Sequence, residues 1–271
     1  IGYDSNPQQR FADYVTQIGA ANEICKITCE DEMWKLKQTS LTKSWPNTTI
    51  DQIIQYIQQK TNATWKYEIL GDSIAVDGFK TNKLGAAKVE KLSACKMLVM
   101  LKDQFGIYSF FRNGVLIVGK PYEPDSSKWN IVKLAYGRNV ISWKDLTYKR
   151  ASEVNLMVTC VNHLSTGKKV EIKVGDDFGE ERTLDFYNLD TATLKTVANE
   201  MLAKLKYDGY RGKIHLFGEP YIDEGGVVNI SDWRYPERNG TFFIDEVETD
   251  FTVKTLRQTA TLGPVASIAN T

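Results

Sequence analysis

Apolar residues recur with a helical period in several stretches of the chain. Ile50, Ile53, Ile54 and Ile57 follow an i, i+3, i+4, i+7 spacing. Thr48, with Asp51 three residues on, has the signature of a capping box, and the stripe ends near Asn62. Met97, Leu98, Leu101 and Phe105 form a second stripe, with Ser93 placed to cap it and Gly106 to release the chain. Leu194, Val197, Ala198, Met201, Leu202 and Leu205 form a third, capped by Asp190 or Thr191 and stopped at Asp208-Gly209. A shorter helical turn is expected from Glu32 to Lys37, with Met33, Trp34 and Leu36 as its apolar contacts.

Elsewhere the period is two, which places alternate side chains on opposite faces of a strand. Strands are expected at Phe11–Ile18 and Ile24–Cys29, then, after a break at Ser44–Asn47, at Thr64–Ile69, closed by Gly71-Asp72. Ile107–Phe111 turns through Arg112-Asn113-Gly114 into Val115–Val118, since Asn-Gly supplies the positive φ of a tight hairpin. Residues 44–120 therefore look like a compact α+β module built twice from one helix-then-strand pattern. Pro121–Trp129 reads as a linker. Beyond it the pattern is β-rich: Ile131–Tyr136, Asn139–Trp143, Val154–Val161 and Lys168–Val174, with Asn162-His163 and Thr166-Gly167 as turns. After the third helix come Ile214–Phe217, Tyr221-Ile222, Val227–Ile230, Thr241–Phe251 and Lys254–Leu262 at barrel-like spacing. Gly263–Thr271 is weakly patterned and is expected to be a mobile tail.

Composition narrows the classes. The 271 residues carry 34 Lys and Arg against 34 Asp and Glu, so no excess of cations draws the chain to a phosphate polymer or an anionic membrane. Sequence-specific nucleic-acid binding is not expected. The longest apolar runs, such as Met97–Leu101, fall far short of the roughly 20 residues that span a bilayer as a helix, and no membrane insertion is expected. With 42% hydrophobic residues the chain can build cores without disulfides, and its length suggests about two domains. Cys25, Ile27 and Cys29 share one strand face. The thiols are expected as small core hydrophobes, with a disulfide or a metal site as alternatives.

Catalytic signatures are absent: there is no Gly-x-Ser-x-Gly elbow, no His-Glu-x-x-His helix, no phosphate loop and no Gly-x-Gly-x-x-Gly. His163 and His215 are the only histidines, and His215 reads as a half-exposed strand residue. Ser93-Ala94-Cys95-Lys96 matches Ser-x-x-Lys, but a helix cap followed by a solvated Lys explains it. Cys95 could have a lowered pKa in a first helical turn, though a buried, inert thiol is the simpler reading. Asp176-Asp177-Phe178-Gly179-Glu180-Glu181 gathers four carboxylates without EF-hand spacing and reads as a solvated hairpin loop. Asn47, Asn62, Asn229 and Asn239 open glycosylation triplets, most of which double as caps or turns. No catalytic, cofactor-binding or metal-binding residue is assigned, and no cofactor is expected.

The order of the pieces resembles a known family. Phe11–Ile18 and Ile27–Lys37 are similar to the close of that family's first barrel, and Phe105–Phe111 with Gly114–Gly119 to its inserted module. Gly218–Ile222 with Gly226–Asp232, and Gly240–Val247 with Arg257–Gly263, are similar to its second barrel. The family is the baseplate hub, or late-control, proteins of contractile phage tails, related to the hub part of type VI secretion spikes. The resemblance implies a mostly β, α+β fold of two β-barrel-like hub domains with a small α+β module inserted. Its pieces would be the end of a first barrel at 1–43, the module at 44–120 and a linker with returning strands at 121–145. The second barrel, with one helix, would follow at 146–263, and a tail at 264–271. The first barrel's opening strands are missing, so it is expected to be N-terminally truncated. The resemblance further implies a non-enzymatic homotrimer in the virion tail, assembled in the bacterial host cytoplasm, joining the tail tube to the central spike. The competing reading is a cell-wall glycan-binding module, with Trp65, Tyr67, Tyr108 and Trp129 as a stacking surface and the acidic loop near Asp177 as an optional hydrolytic site. A multidomain β protein of other role is the third.

Overall fold

A computed structural model describes residues 14–19, 26–70, 83–112, 114–119, 122, 126–236, 239–252 and 254–266. Cys25, Gly71-Asp72, Asn113, much of the linker and the tail beyond 266 lie outside these residues, as do the first residues of the opening strand.

The chain begins with an antiparallel pair, β1 (Tyr14–Gly19) and β2 (Lys26–Glu30), in which Val15 faces Cys29 and Ile18 faces Ile27. That face is uncovered: Ile18 is 68% and Ile27 56% exposed, and Cys29 is exposed as well. The expectation of a core thiol at Cys29 is therefore corrected, because a two-stranded sheet can bury only the face that another layer covers. Tyr14, on the other face, accepts from Lys35 Nζ at 2.6 Å and donates to Glu32 at 2.6 Å, which ties the hairpin to α1 (Met33–Gln38).

Five strands and two helices follow. β3 (Ser40–Trp45) runs through part of the expected break and pairs with β5 (Ala87–Ser93). The α2 helix (Ile50–Thr61) is capped by Thr49 and Gln52, one residue later than the sequence suggested: Gln52 N donates to Thr49 Oγ1 and Thr49 N to Gln52 Oε1. Thr48 instead is buried, with its backbone bonded to Leu84 and Gly85. Ile50, Ile53, Ile54 and Ile57 are all buried, each worth roughly 1.5–3 kcal/mol of transfer free energy. After β4 (Lys66–Leu70), the α3 helix (Ala94–Phe105) begins at its Ser93 cap and ends at Gly106, as its pattern predicts. β6 (Tyr108–Arg112) and β7 (Val115–Gly119) form the hairpin, and β4 joins β7 in parallel.

The rest is two sheets and a helix. β11 (Leu156–His163) lies between β12 (Lys169–Gly175), antiparallel to it, and β13 (Glu180–Tyr187), parallel to it, with α4 (Thr191–Leu205) packed against the sheet. Asn162-His163 is not a turn but the end of β11. The second sheet is a curled half-barrel of β8 (Ile131–Ala135), β9 (Val140–Ser142), β10 (Leu146–Lys149), β14 (Gly209–Phe217), β15 (Val227–Ser231), β16 (Gly240–Phe251) and β17 (Leu256–Val265). Its order is β10-β14-β17-β16-β15-β8, with β9 also on β14. β17 extends past Gly263, and Ala266 is buried with its N–H on Thr241 O, so the expected tail is structured at least that far. Tyr221-Ile222 forms no strand.

Buried side chains form two clusters. One runs from Leu36 to Val118 and resumes from Leu156 to Ala198; the other joins Leu134 and Val140 to residues between Tyr210 and Leu262. The cores thus cut across the linear ranges 44–120 and 146–263. The fold is α+β and mostly β, 50% strand and 23% helix.

Candidate functional site

The residues weighed for chemistry occupy structural posts. Ser93 caps α3. His163 Nε2 lies 2.8 Å from Asp185 Oδ1 and its ring stacks on Tyr187. His215, half-exposed on its strand, stands between Asp145 at 3.0 Å and Thr259 at 3.1 Å. An acid–imidazole–hydroxyl line of this kind suggests nucleophilic chemistry, but Thr259 sits directly across the sheet from His215 on a strand paired on both sides. The contact between the two side chains is therefore that of a cross-strand pair. Among the described residues no group of three or more His, Cys, Asp or Glu side chains could hold a metal ion.

The four aromatics of the glycan-binding reading do not converge. Trp65 is buried edge-on to Phe111, Tyr67 donates to Asp51 at 2.8 Å, and Trp129 packs against Phe243. Tyr108 is covered by Lys102 and Lys204 at 4.8 and 4.6 Å from its ring. The acidic run is no open pocket either: Asp176 pairs with Lys206, Glu180 with Arg182 at 2.6 Å, and Thr159 donates to Glu181 at 2.6 Å.

What the structure does bring together is a half-buried polar junction between the two cores. A register shift between Ile244 and Glu246 places Asp245 at a bulge in β16, and bulges re-aim side chains. Asp245 accepts from Tyr122 Oη and faces Lys204 of α4 and Lys102 of α3. A Cβ on Gly263 would lie 2.4 Å from the carboxylate and 2.8 Å from the Tyr122 hydroxyl, so the pair fits only because residue 263 has no side chain. Beside it Arg112 donates to Glu224 O at 2.7 Å, a link from the β6–β7 hairpin to the half-barrel. Burial pushes the Asp245 and Glu224 carboxyls above the usual carboxylate range and Lys204 below the usual amine range. It also raises the phenols of Tyr108, Tyr122 and Tyr207. No sequence motif marks this junction, since its members come from seven separate segments.

Two aromatic side chains stand out from the surface. Phe178 is fully exposed, and Trp233 is 77% exposed. Trp233 is carried on a built turn, in which Arg234 forks onto the buried Asp232 at 2.9 and 3.0 Å and lies over Tyr136, itself stacked on Trp143. Exposed Trp, Tyr and Arg held rigidly are the residue types that dominate protein interfaces. The sequence offered a signal here in Trp233-Arg234-Tyr235, unplaced in any stripe or strand.

No protein-family model matches the chain. No curated protein matches it. Solved structures do. It superimposes on a tail protein from Neisseria meningitidis with a TM-score of 0.64 at 14% identity, over 91% of this chain and 77% of that one. A prophage tail protein from Shewanella oneidensis gives 0.60 at 15%, over 93% and 78%. An Escherichia coli type VI secretion component, itself structurally similar to T4 bacteriophage tail proteins, gives 0.60 at 11%, over 94% and 60%. At these identities the likeness speaks for architecture: the chain has the fold of phage and prophage tail proteins.

Proposed function

We propose that the chain is a structural component of a phage or prophage tail baseplate hub, residing in the virion tail after assembly in the bacterial host cytoplasm. The likeness that carries this reading spans the whole arrangement, 91% of the chain in its match to the Neisseria tail protein, rather than one shared module. The finer proposal is a homotrimer that connects the tail tube to the central spike. The half-barrel supports it, because β10 and β8 stand at the ends of its strand order and, among the described residues, no further strand pairs with their outer edges, which a neighbouring subunit can cover. The residues weighed for catalysis are caps, ladder pairs and core contacts, in keeping with a non-enzymatic role.

Light scattering after size exclusion tests this on the chain alone and co-expressed with its neighbouring tail genes. A trimer, or a trimer only with the spike protein, is expected. A monomer under both conditions overturns the hub reading and leaves the fold intact.

A further inference from the structure

The connection from β12 to β13 must cross the end of β11, because β13 lies on the far side of that strand. Four residues, 176–179, make the crossing, and the first and last of them are bonded. Asp176 N donates to Leu156 O at 2.9 Å, Leu156 N donates to the Asp176 carboxylate at 3.1 Å, and Gly179 N donates to Asp176 O at 3.0 Å. Lys206 pairs with the same carboxylate. The backbone presses so closely on β11 that a Cβ at Gly175 would lie 2.2 Å from Leu156 O, and one at Gly179 2.4 Å from Leu156 N. Gly175 also holds φ at +113°, a conformation that side chains rarely permit.

The tip of this crossing carries a phenylalanine with its whole side chain in water. Phe178 adds nothing to its own core. The bond from Gly179 N to Asp176 O closes the turn, so its backbone has little freedom left to lose when a partner closes on the ring. The charges around it narrow the partner. Asp176 and Glu180 are matched by Lys206 and Arg182, whereas among the described residues no ion pair joins Asp177, the exposed neighbour of Phe178. An uncompensated carboxylate beside the ring repels nucleic acid and anionic lipid and attracts Lys or Arg.

We propose that Asp177-Phe178 is a docking knob for a protein partner that offers an apolar pocket with Lys or Arg at its rim. This stands independently of the hub reading, since it requires one other protein of that chemistry and not a second copy of this chain.

The test is photo-crosslinking with the full chain carrying p-benzoylphenylalanine in place of Phe178, expressed in the bacterium that makes it, with the crosslinked peptide identified by mass spectrometry. The expected product joins position 178 to apolar residues of one other protein, close to a Lys or Arg. Its yield should fall about tenfold with Asp177→Lys and persist with Asp177→Glu. Crosslinks only to a second copy of this chain, only to lipid, or to nothing overturn the proposal, as does a yield indifferent to Asp177→Lys. A second measurement guards the premise: Phe178→Ser should leave the melting temperature within about 1 °C, and a larger drop would mean the ring packs on its own chain.

Discussion

Asn162 shows how one side chain can stand in for backbone. It is fully buried, its amide nitrogen donates to Leu189 O at 2.6 Å, and its carbonyl oxygen accepts from Leu189 N at 3.1 Å. Both polar groups of Leu189, in the short connection from β13 to α4, are thus satisfied where no strand reaches them. Asn162→Leu keeps the volume and removes both bonds, leaving a buried N–H and C=O without partners. The expected cost is about 2–4 kcal/mol, read as a lower urea midpoint with an unchanged slope. A change below about 0.5 kcal/mol would show that the connection finds other partners. Asn followed by His resembles turn chemistry in the sequence, because Asn so often bonds its own local backbone. Here it bonds a backbone 27 residues away, which no local pattern records.

At the scale of elements, what was legible is what is local. The stripes of α2, α3 and α4 and the caps at Ser93 and Asp190 depend on residues within a turn of each other, and they stand as expected, apart from the one-residue shift to Thr49 and the end of α4, which comes at Leu205 rather than at Asp208-Gly209, where Gly209 opens β14. Strand existence was mostly legible too. Pairing was not: that β13 lies parallel to β11, or that β3 seeks β5 across more than forty residues, depends on which faces other elements cover. The bulge that aims Asp245 belongs to the same class. Its carboxyl titrates above its unfolded value because burial disfavours the charge. The folded state therefore holds that proton more tightly, so stability falls as pH rises from the ordinary carboxylate range through the raised value, and is flat beyond it. Glu224 acts in the same direction. Asp245→Asn removes the Asp245 share while its amide oxygen can still accept from Tyr122. Urea midpoints between about pH 4 and about pH 8 should fall less with pH in the variant than in the parent. Parallel curves would mean that Asp245 titrates as it does in the unfolded chain.

The molecule as a whole is two apolar cores interleaved in sequence. The chain builds the first through β7, leaves to lay down β8, β9 and β10, returns for β11 to α4, and then completes the half-barrel. Neither core is a continuous segment, so each depends on chain ends delivered by the other. What joins them at the Asp245 junction is polar, with Tyr122, Lys204 and Lys102 around the carboxylate and Arg112 bonded to Glu224 O. Polar contacts of this kind lose little when water replaces them, whereas each core loses its buried apolar area when it opens. The cores should therefore unfold in separate steps even though the chain threads both. Ile57 and Ile244 report on them separately, one fully buried in each, and truncating either to Ala costs roughly 2–5 kcal/mol. Calorimetry of the full chain should show two transitions, with Ile57→Ala lowering one and Ile244→Ala the other. A single transition lowered alike by both substitutions would show that the interleaved connections couple the cores more strongly than the polar junction separates them.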